Sequence, residues 1–231
     1  VSLAESAVCR VIPSKANVEV TIGTSNTFVY GTFASSNMTN TEFLRAQFNT
    51  IEITADSSTI AEQYLENISA MIEGTVSTGK FLVAGEQELT ITLTSRNYTF
   101  GVEDADSDGV YEKEFTLEFT VTPASLSLSQ TPTVTKEYDG TANLSSTYAG
   151  AQVGTSAPSV WIGTGLLAGD IVTISGNYDS ADIGARTLSL TAGGADGANY
   201  SLTGIPAGQI ASVEFDFTGH LDTEEWVEDG V

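Results

Sequence analysis

Four short motifs occur twice in this chain, in the same order. Phe28-Val-Tyr30-Gly31-Thr32 echoes Glu137-Tyr138-Asp-Gly140-Thr141, and Gly85-Glu-Gln-Glu-Leu-Thr-Ile-Thr-Leu93 echoes Gly184-Ala-Arg-Thr-Leu-Ser-Leu190. Asn97-Tyr-Thr-Phe100 echoes Asn199-Tyr-Ser-Leu202, and Val11-Ile12-Pro13 echoes the end of Phe119-Thr-Val-Thr-Pro123. The offset drifts from 123 − 13 = 110 residues to 199 − 97 = 102, so the first copy is slightly longer. A repeat of about 100 residues is long enough for each copy to enclose its own hydrophobic core. It implies two tandem modules, 14–123 and 124–218. Residues 1–13 then read as the closing strand of an upstream module, and 219–231 as an acidic tail or linker.

Within each copy the apolar residues alternate. Val18, Val20 and Ile22 do so, as do Leu89, Ile91 and Leu93, then Phe115, Leu117, Phe119 and Val121. Leu126 and Leu128, Leu188 and Leu190, and Val213, Phe215 and Phe217 continue the pattern. Their neighbours are mostly Thr, Ser and Glu. Period two of this kind predicts strands with one face buried and one wet. Gly-rich and Asp-Gly steps between the runs supply turns. One segment departs from this: Ile60, Tyr64, Leu65, Ile68, Met71 and Ile72 recur at helical spacing, behind a Thr59/Glu62 capping box. It predicts a short helix over about 60–72, packed on the first module's sheet. A short helical turn is also expected within 144–168. The expected fold class is mainly β, with an Ig-like β-sandwich as runner-up.

Composition limits the partners. Eight Lys and Arg against 30 Asp and Glu leave a net charge of −22. That excludes nucleic acid, whose phosphates need basic side chains, and an anionic membrane surface. A single cysteine, Cys9, excludes an intrachain disulfide and a Cys-rich zinc site. The one histidine, His220, falls in the tail. The start, VSLAESAVCR, lacks the basic end and apolar middle of a signal peptide, and no apolar run is long enough to span a bilayer. G-x-S-x-G, H-E-x-x-H and P-loop patterns are absent. Carboxylate pairs such as Glu224 and Glu225 read as solvated side chains, so no enzyme is expected.

The sharpest chemical motif is Asp104-Ala-Asp106-Ser-Asp108-Gly109-Val110-Tyr-Glu112. It matches the front of a D-x-D-x-D-G calcium loop, in which alternate carboxylates point at one centre and glycine permits the turn. Asp104, Asp106, Asp108, the Val110 carbonyl and Glu112 are the candidate Ca2+ ligands. The twelfth position, where an EF-hand places its bidentate Glu, is Phe115, so Glu112 or Glu114 must substitute. The competing reading is a solvated acidic hairpin that turns at Asp108-Gly109.

The second copy carries a resemblance. Lys136-Glu-Tyr138-Asp139-Gly140-Thr141-Ala is followed by Gly169-Asp170-Ile-Val-Thr-Ile-Ser175-Gly176, by Tyr178-Asp-Ser-Ala-Asp-Ile-Gly184, and by Gly194-Ala-Asp196-Gly-Ala198-Asn199-Tyr200-Ser-Leu202-Thr. This series resembles the YDG domain of bacterial adhesins. The first copy, through Tyr30-Gly31-Thr32 and Asn97-Tyr98, resembles the related MBG domain of the YGX type. The resemblance implies β-grasp-like modules, repeated in large secreted or wall-attached surface proteins and regarded as adhesin stalk units. It carries no catalytic residues with it.

Two further readings stand beside it. A self-made Lys–Asn isopeptide bond needs Lys, Asn and an acid in an apolar site. Lys136, Asn199 and Asp182 have a suitable order, as do Lys15 and Asn97; alternatively Lys136 is exposed and Asn199 makes a turn. Trp161 and Trp226 suggest a sugar-stacking platform, although core packing is the commoner fate of a β-protein tryptophan. The expected function is thus extracellular spacing at a bacterial cell surface, by a monomer whose partners are neighbouring repeats of its own chain. The alternative is a module that itself binds a host glycan or protein.

Overall fold

The structure, a computed structural model, describes residues 19–22, 27–48, 51–55, 58–59, 67–130, 133–154, 161 and 163–214. Segments 1–13 and 219–231 lie outside the described residues, as do Cys9, Lys15, His220 and Trp226. The chain is mainly β. Its contacts divide it into two compact units, Val1–Pro123 and Ala124–Val231.

In the first unit the described elements are β1 (Glu19–Ile22), β2 (Thr27–Val29), α1 (Thr41–Gln47), β3 (Ile51–Ala55), β4 (Ser58–Thr59), β5 (Asn67–Ile72), β6 (Gly85–Ser95) and β7 (Tyr111–Thr122). One sheet has the order β1-β3-β4 and the other β2-β7-β6-β5. The β6–β7 ladder runs antiparallel from Gly85↔Val121 to Ser95↔Tyr111. Alternation sends Leu89, Ile91, Leu93, Leu117, Phe119 and Val121 inward, and leaves Thr and Glu on the other face. On the far side of β7 lies β2, parallel to it, with Phe28 opposite Val121. Phe28, Phe33, Phe48 and Phe119 meet at ring-centroid distances from 4.9 to 5.9 Å, mostly edge to face, as aromatic quadrupoles favour.

The helix expected over 60–72 is corrected. Residues 60–66 lie outside the described residues, 67–72 form β5, and Thr59, the supposed cap, belongs to β4. The reason is a second period hidden in the same letters: Ile68, Ala70 and Ile72 also alternate. β6 offers them a backbone partner from Asn67↔Thr94 to Ile72↔Leu89. Ala70 and Ile72 are buried, whereas Met71, counted on the helical face, is 38% exposed. The described α-helix is α1 instead. The Asn40 side chain caps it by accepting the Phe43 N–H at 3.0 Å, and Leu44 and Phe48, four apart, are both buried.

The second unit contains β8 (Ala124–Ser127), β9 (Val134–Glu137), β10 (Thr173–Tyr178), β11 (Gly184–Arg186), β12 (Leu188–Gly193), β13 (Tyr200–Thr203) and β14 (Gly208–Ala211). β8 pairs parallel with β13, and β9 parallel with β14. β11 joins the other edge of β14, and β10 pairs with β12, both antiparallel. A single helical turn closes where the Ala149 N–H reaches the Ser145 carbonyl at 2.9 Å. Trp161 is fully buried in this core and donates its Nε1–H to the Tyr148 carbonyl at 3.1 Å. It presents no face to a sugar.

The alternating run Val213, Phe215 and Phe217 is described only at its first residue. Val213 lies past the end of β14 and is 38% exposed, while Phe215 and Phe217 fall outside the described residues. The last described strand, β14, is Gly-Gln-Ile-Ala, central between β11 and β9, with one large apolar side chain, Ile210. Gly208 sets how closely β14 packs: a Cβ there would sit 2.9 Å from the Tyr178 ring, so only glycine lets the strand lie against it. Among the described residues no helix is long and apolar enough to cross a membrane.

Candidate functional site

The loop before β7 gathers the acidic motif. One carboxylate oxygen from each of Asp104, Asp106 and Asp108 lies within 4.8 Å of the others. Calcium binds oxygen at 2.3–2.6 Å, so two ligands of one ion stand at most about 5 Å apart; the three carboxylates meet that limit. The backbone aims them. The Gly109 N–H donates to Asp104 Oδ2 at 2.8 Å, and the Val110 N–H donates to Asp108 Oδ1 at 2.7 Å. A longer bond, 3.4 Å, joins the Asp108 N–H to Asp106 Oδ1. The other oxygen of Asp104, Oδ1, is buried and has no hydrogen-bond partner. A desolvated carboxylate oxygen in that state is destabilising, and a cation bound there would satisfy it. Asp106, Asp108, Val110 and Glu112 line a pocket of about 190 Å³ together with Glu103, whereas Asp104 is not part of its lining. Glu112 is the second residue of β7 and does not belong to the converging group. Phe115, at the twelfth position, is drawn into the β6–β7 ladder opposite Ile91. Behind the loop, Lys113 Nζ donates to the Phe100 carbonyl at 3.0 Å and pins its start.

The second unit concentrates its polar chemistry indoors. Lys136 is 4% exposed, which corrects its reading as a surface lysine. Its Nζ donates to Asp139 Oδ1 at 2.7 Å, to the Thr141 carbonyl and Oγ1 at 2.8 and 3.1 Å, and to the Asn143 carbonyl at 3.0 Å. The ammonium also stands 5.8 Å over the Tyr178 ring. The Asp139 carboxyl falls to about 2, first through the Lys136 hydrogen bond and then through the Thr141 N–H and hydroxyl. Burial pushes the Tyr178 hydroxyl up to about 12, and that hydroxyl donates to the Val134 carbonyl at 3.2 Å.

A second cluster joins two more of the motifs. The Tyr200 hydroxyl donates to Asp170 Oδ2 at 2.5 Å and accepts the Leu167 N–H at 3.0 Å. Asp196 Oδ2 accepts the Ile171 N–H at 2.7 Å, and the Asp196 N–H returns to the Ile171 carbonyl at 3.0 Å. Asp170, Asp196 and Asn199 are all buried. Burial, and then the bond to Asp170, raise the Tyr200 hydroxyl well above the ordinary phenol range. These motifs meet as backbone and side-chain partners of one another.

Residues 122–207 match the family model of the YDG domain. No curated protein and no solved structure matches the chain.

Within the matched region, the stretch from Lys136 to Thr141 is a clamp on its own turn. Tyr138 is 46% exposed while Lys136, two residues before it, is buried. Gly176 lies at φ 153°, and a Cβ there would stand 2.1 Å from the Ser189 carbonyl oxygen. The isopeptide grouping is not assembled. Asp182, its acid, has a side chain 84% exposed beside Arg186, whereas amide formation needs an acid in apolar surroundings. Asn199 ends a 3-10 turn, Gly197–Asn199. Sequence reasoning missed the inward Lys136 and the Asp170–Tyr200 pair. A signal for the lysine was present, since period two places Lys136 on the face of Val134.

Proposed function

We propose that the chain is a non-enzymatic, extracellular segment of a bacterial surface adhesin, acting as spacer repeats: a YDG domain preceded by an MBG-like module. The observation that carries this reading is that the YDG match covers a unit whose motif residues are engaged with each other. Lys136, Asp139, Asp170, Asp196 and Tyr200 hold turns and strands of their own interior. A signature used in this way repeats a fold and not a reaction, as expected of modules that set distance. Labelling of intact producing cells with a membrane-impermeant amine reagent tests it. The full-length protein becomes labelled, and external protease removes it without lysis. A protein reached only after lysis overturns the reading.

The Asp104 loop supports a second function of the same segment, calcium binding. The buried, unpartnered Asp104 Oδ1 favours it, as does the mutual repulsion of the carboxylates. That repulsion is about 1 kcal/mol per pair even at the dielectric constant of water. Asp104, Asp106 and Asp108 would hold the ion, with Val110 and Glu112 beside Asp106 and Asp108 in the adjoining pocket; the ion would supply charge neutralisation and cross-link the loop. Isothermal titration of the chain with calcium gives a saturable heat, which Asp106→Ala abolishes. A parent chain that evolves no heat of binding removes this function.

A further inference from the structure

The chain enters the second unit at Ala124, the first residue of β8, and its last described strand, β14, ends at Ala211. The entering strands run parallel to the leaving ones, from Ala124↔Tyr200 to Ser127↔Thr203 and from Val134↔Gly208 to Glu137↔Ala211. The ladder is stitched beyond each strand end as well. The Leu128 N–H reaches the Thr203 carbonyl, the Val134 N–H that of Ala207 and the Tyr138 N–H that of Ala211, each at 2.9 Å. In a parallel pair the start of one strand and the finish of the other lie at opposite ends of the ladder. Tension on the chain therefore slides these strands along each other and loads all their hydrogen bonds together. An antiparallel terminal pair would bring both ends to one side and open one bond at a time.

We infer that the second unit is a shear clamp, a fold whose function includes bearing tensile load along the chain. Sliding is opposed by side chains as well as by the ladder. Leu126, Leu128, Val134 and Ile210 alternate into the interior and are buried, so a slip of one residue turns each of them outward. Both entering strands are anchored from elsewhere. β8 exchanges two 2.9 Å bonds with Thr164 through Ser127, and Lys136 of β9 ties that strand to Asp139, Thr141 and Asn143. Leaving the fold along this direction requires many contacts to break in one step, and forced unfolding is governed by that barrier. The clamp deepens the spacer reading and takes its biological meaning from it, while the mechanical property itself is measured on the chain alone.

Single-molecule pulling of the full chain in two attachment geometries tests it, in a Cys9→Ser background. Ser125→Cys with Glu214→Cys loads the terminal strands from opposite ends. Ser125→Cys with Ala198→Cys pulls β8 away from the start of β13. The three attachment positions are exposed. Because the folded state is the same in both experiments, only the direction of load differs. The first geometry ruptures at a severalfold higher force than the second; equal forces, or a weaker first geometry, overturn the clamp. A high rupture force in a protein that intact cells do not display leaves the clamp standing and overturns the spacer reading. Surface display with direction-independent rupture overturns the clamp alone.

Discussion

An inward lysine organises the turn that follows β9. In a chain with so few basic residues, Lys136 would be expected at the surface; instead its ammonium satisfies two carbonyls, Thr141 and Asn143, besides the Asp139 carboxylate. Lys136→Met keeps the aliphatic stem and deletes those donors. It is expected to lower the free energy of unfolding by about 2–3 kcal/mol, the usual worth of hydrogen bonds to a charged group, as measured by urea denaturation at neutral pH. The same contact makes an acid-sensitive signature. Asp139 has its carboxyl lowered from 3.8 to about 2. The unfolded chain therefore takes up the proton first as the pH drops. The stabilisation is complete above pH 4 and is lost as the pH falls through 2. The urea midpoint of the parent should decline more steeply over this interval than that of Asp139→Asn; parallel declines would show that the lowered carboxyl carries no stability. Lys136 was legible as inward only to a reader who trusted the alternation over residue type. The four acceptors that make its burial tolerable come from a turn whose shape no periodicity encodes.

Elements that draw on tertiary partners were the ones misread. Residues 67–72 satisfy a helical spacing and a strand spacing at once, and the partner edge on β6 decides between them. Conversely, α1 has only seven residues, too few for a clear helical period, and its signal is confined to the Asn40 cap and the Leu44–Phe48 spacing. The long runs in β6 and β7 were legible because many apolar letters repeat the same period. Glycines mark where strands come closest, and Gly176 gives a test at this scale. Gly176 and Gly184 both have positive φ, at 153° and 124°. Alanine at either carries roughly 1–3 kcal/mol of backbone strain. At Gly184 the added Cβ meets nothing within 4 Å, whereas at Gly176 it collides with the Ser189 carbonyl of the paired strand β12. Thermal unfolding should place Gly176→Ala below Gly184→Ala, and both below the parent. Equal midpoints for the two variants would mean that β10 and β12 separate at no cost.

At the scale of the whole molecule, the repeated order of motifs and the local D-x-D-x-D-G pattern were readable, because each is written in neighbouring letters. The buried network of the second unit was not, since Asp170 and Tyr200 are brought together only by folding. That network makes a claim about autonomy. The second unit contains its own fully buried Trp161, the Tyr148 carbonyl that Trp161 binds, and both halves of every strand pair it uses. A chain of this size encloses enough apolar surface to fold alone. Residues 124–231 produced separately should therefore give a folded protein. The sequence has two tryptophans, Trp161 and Trp226, so Trp226→Phe leaves Trp161 as the only reporter, both in the fragment and in the full chain. In each, its emission should be that of a buried indole. In each, it should shift to that of a solvated indole in one cooperative urea transition with the same midpoint. An indole already solvated in the fragment, or a midpoint well below that of the full chain, would show that the unit depends on residues outside it for its stability.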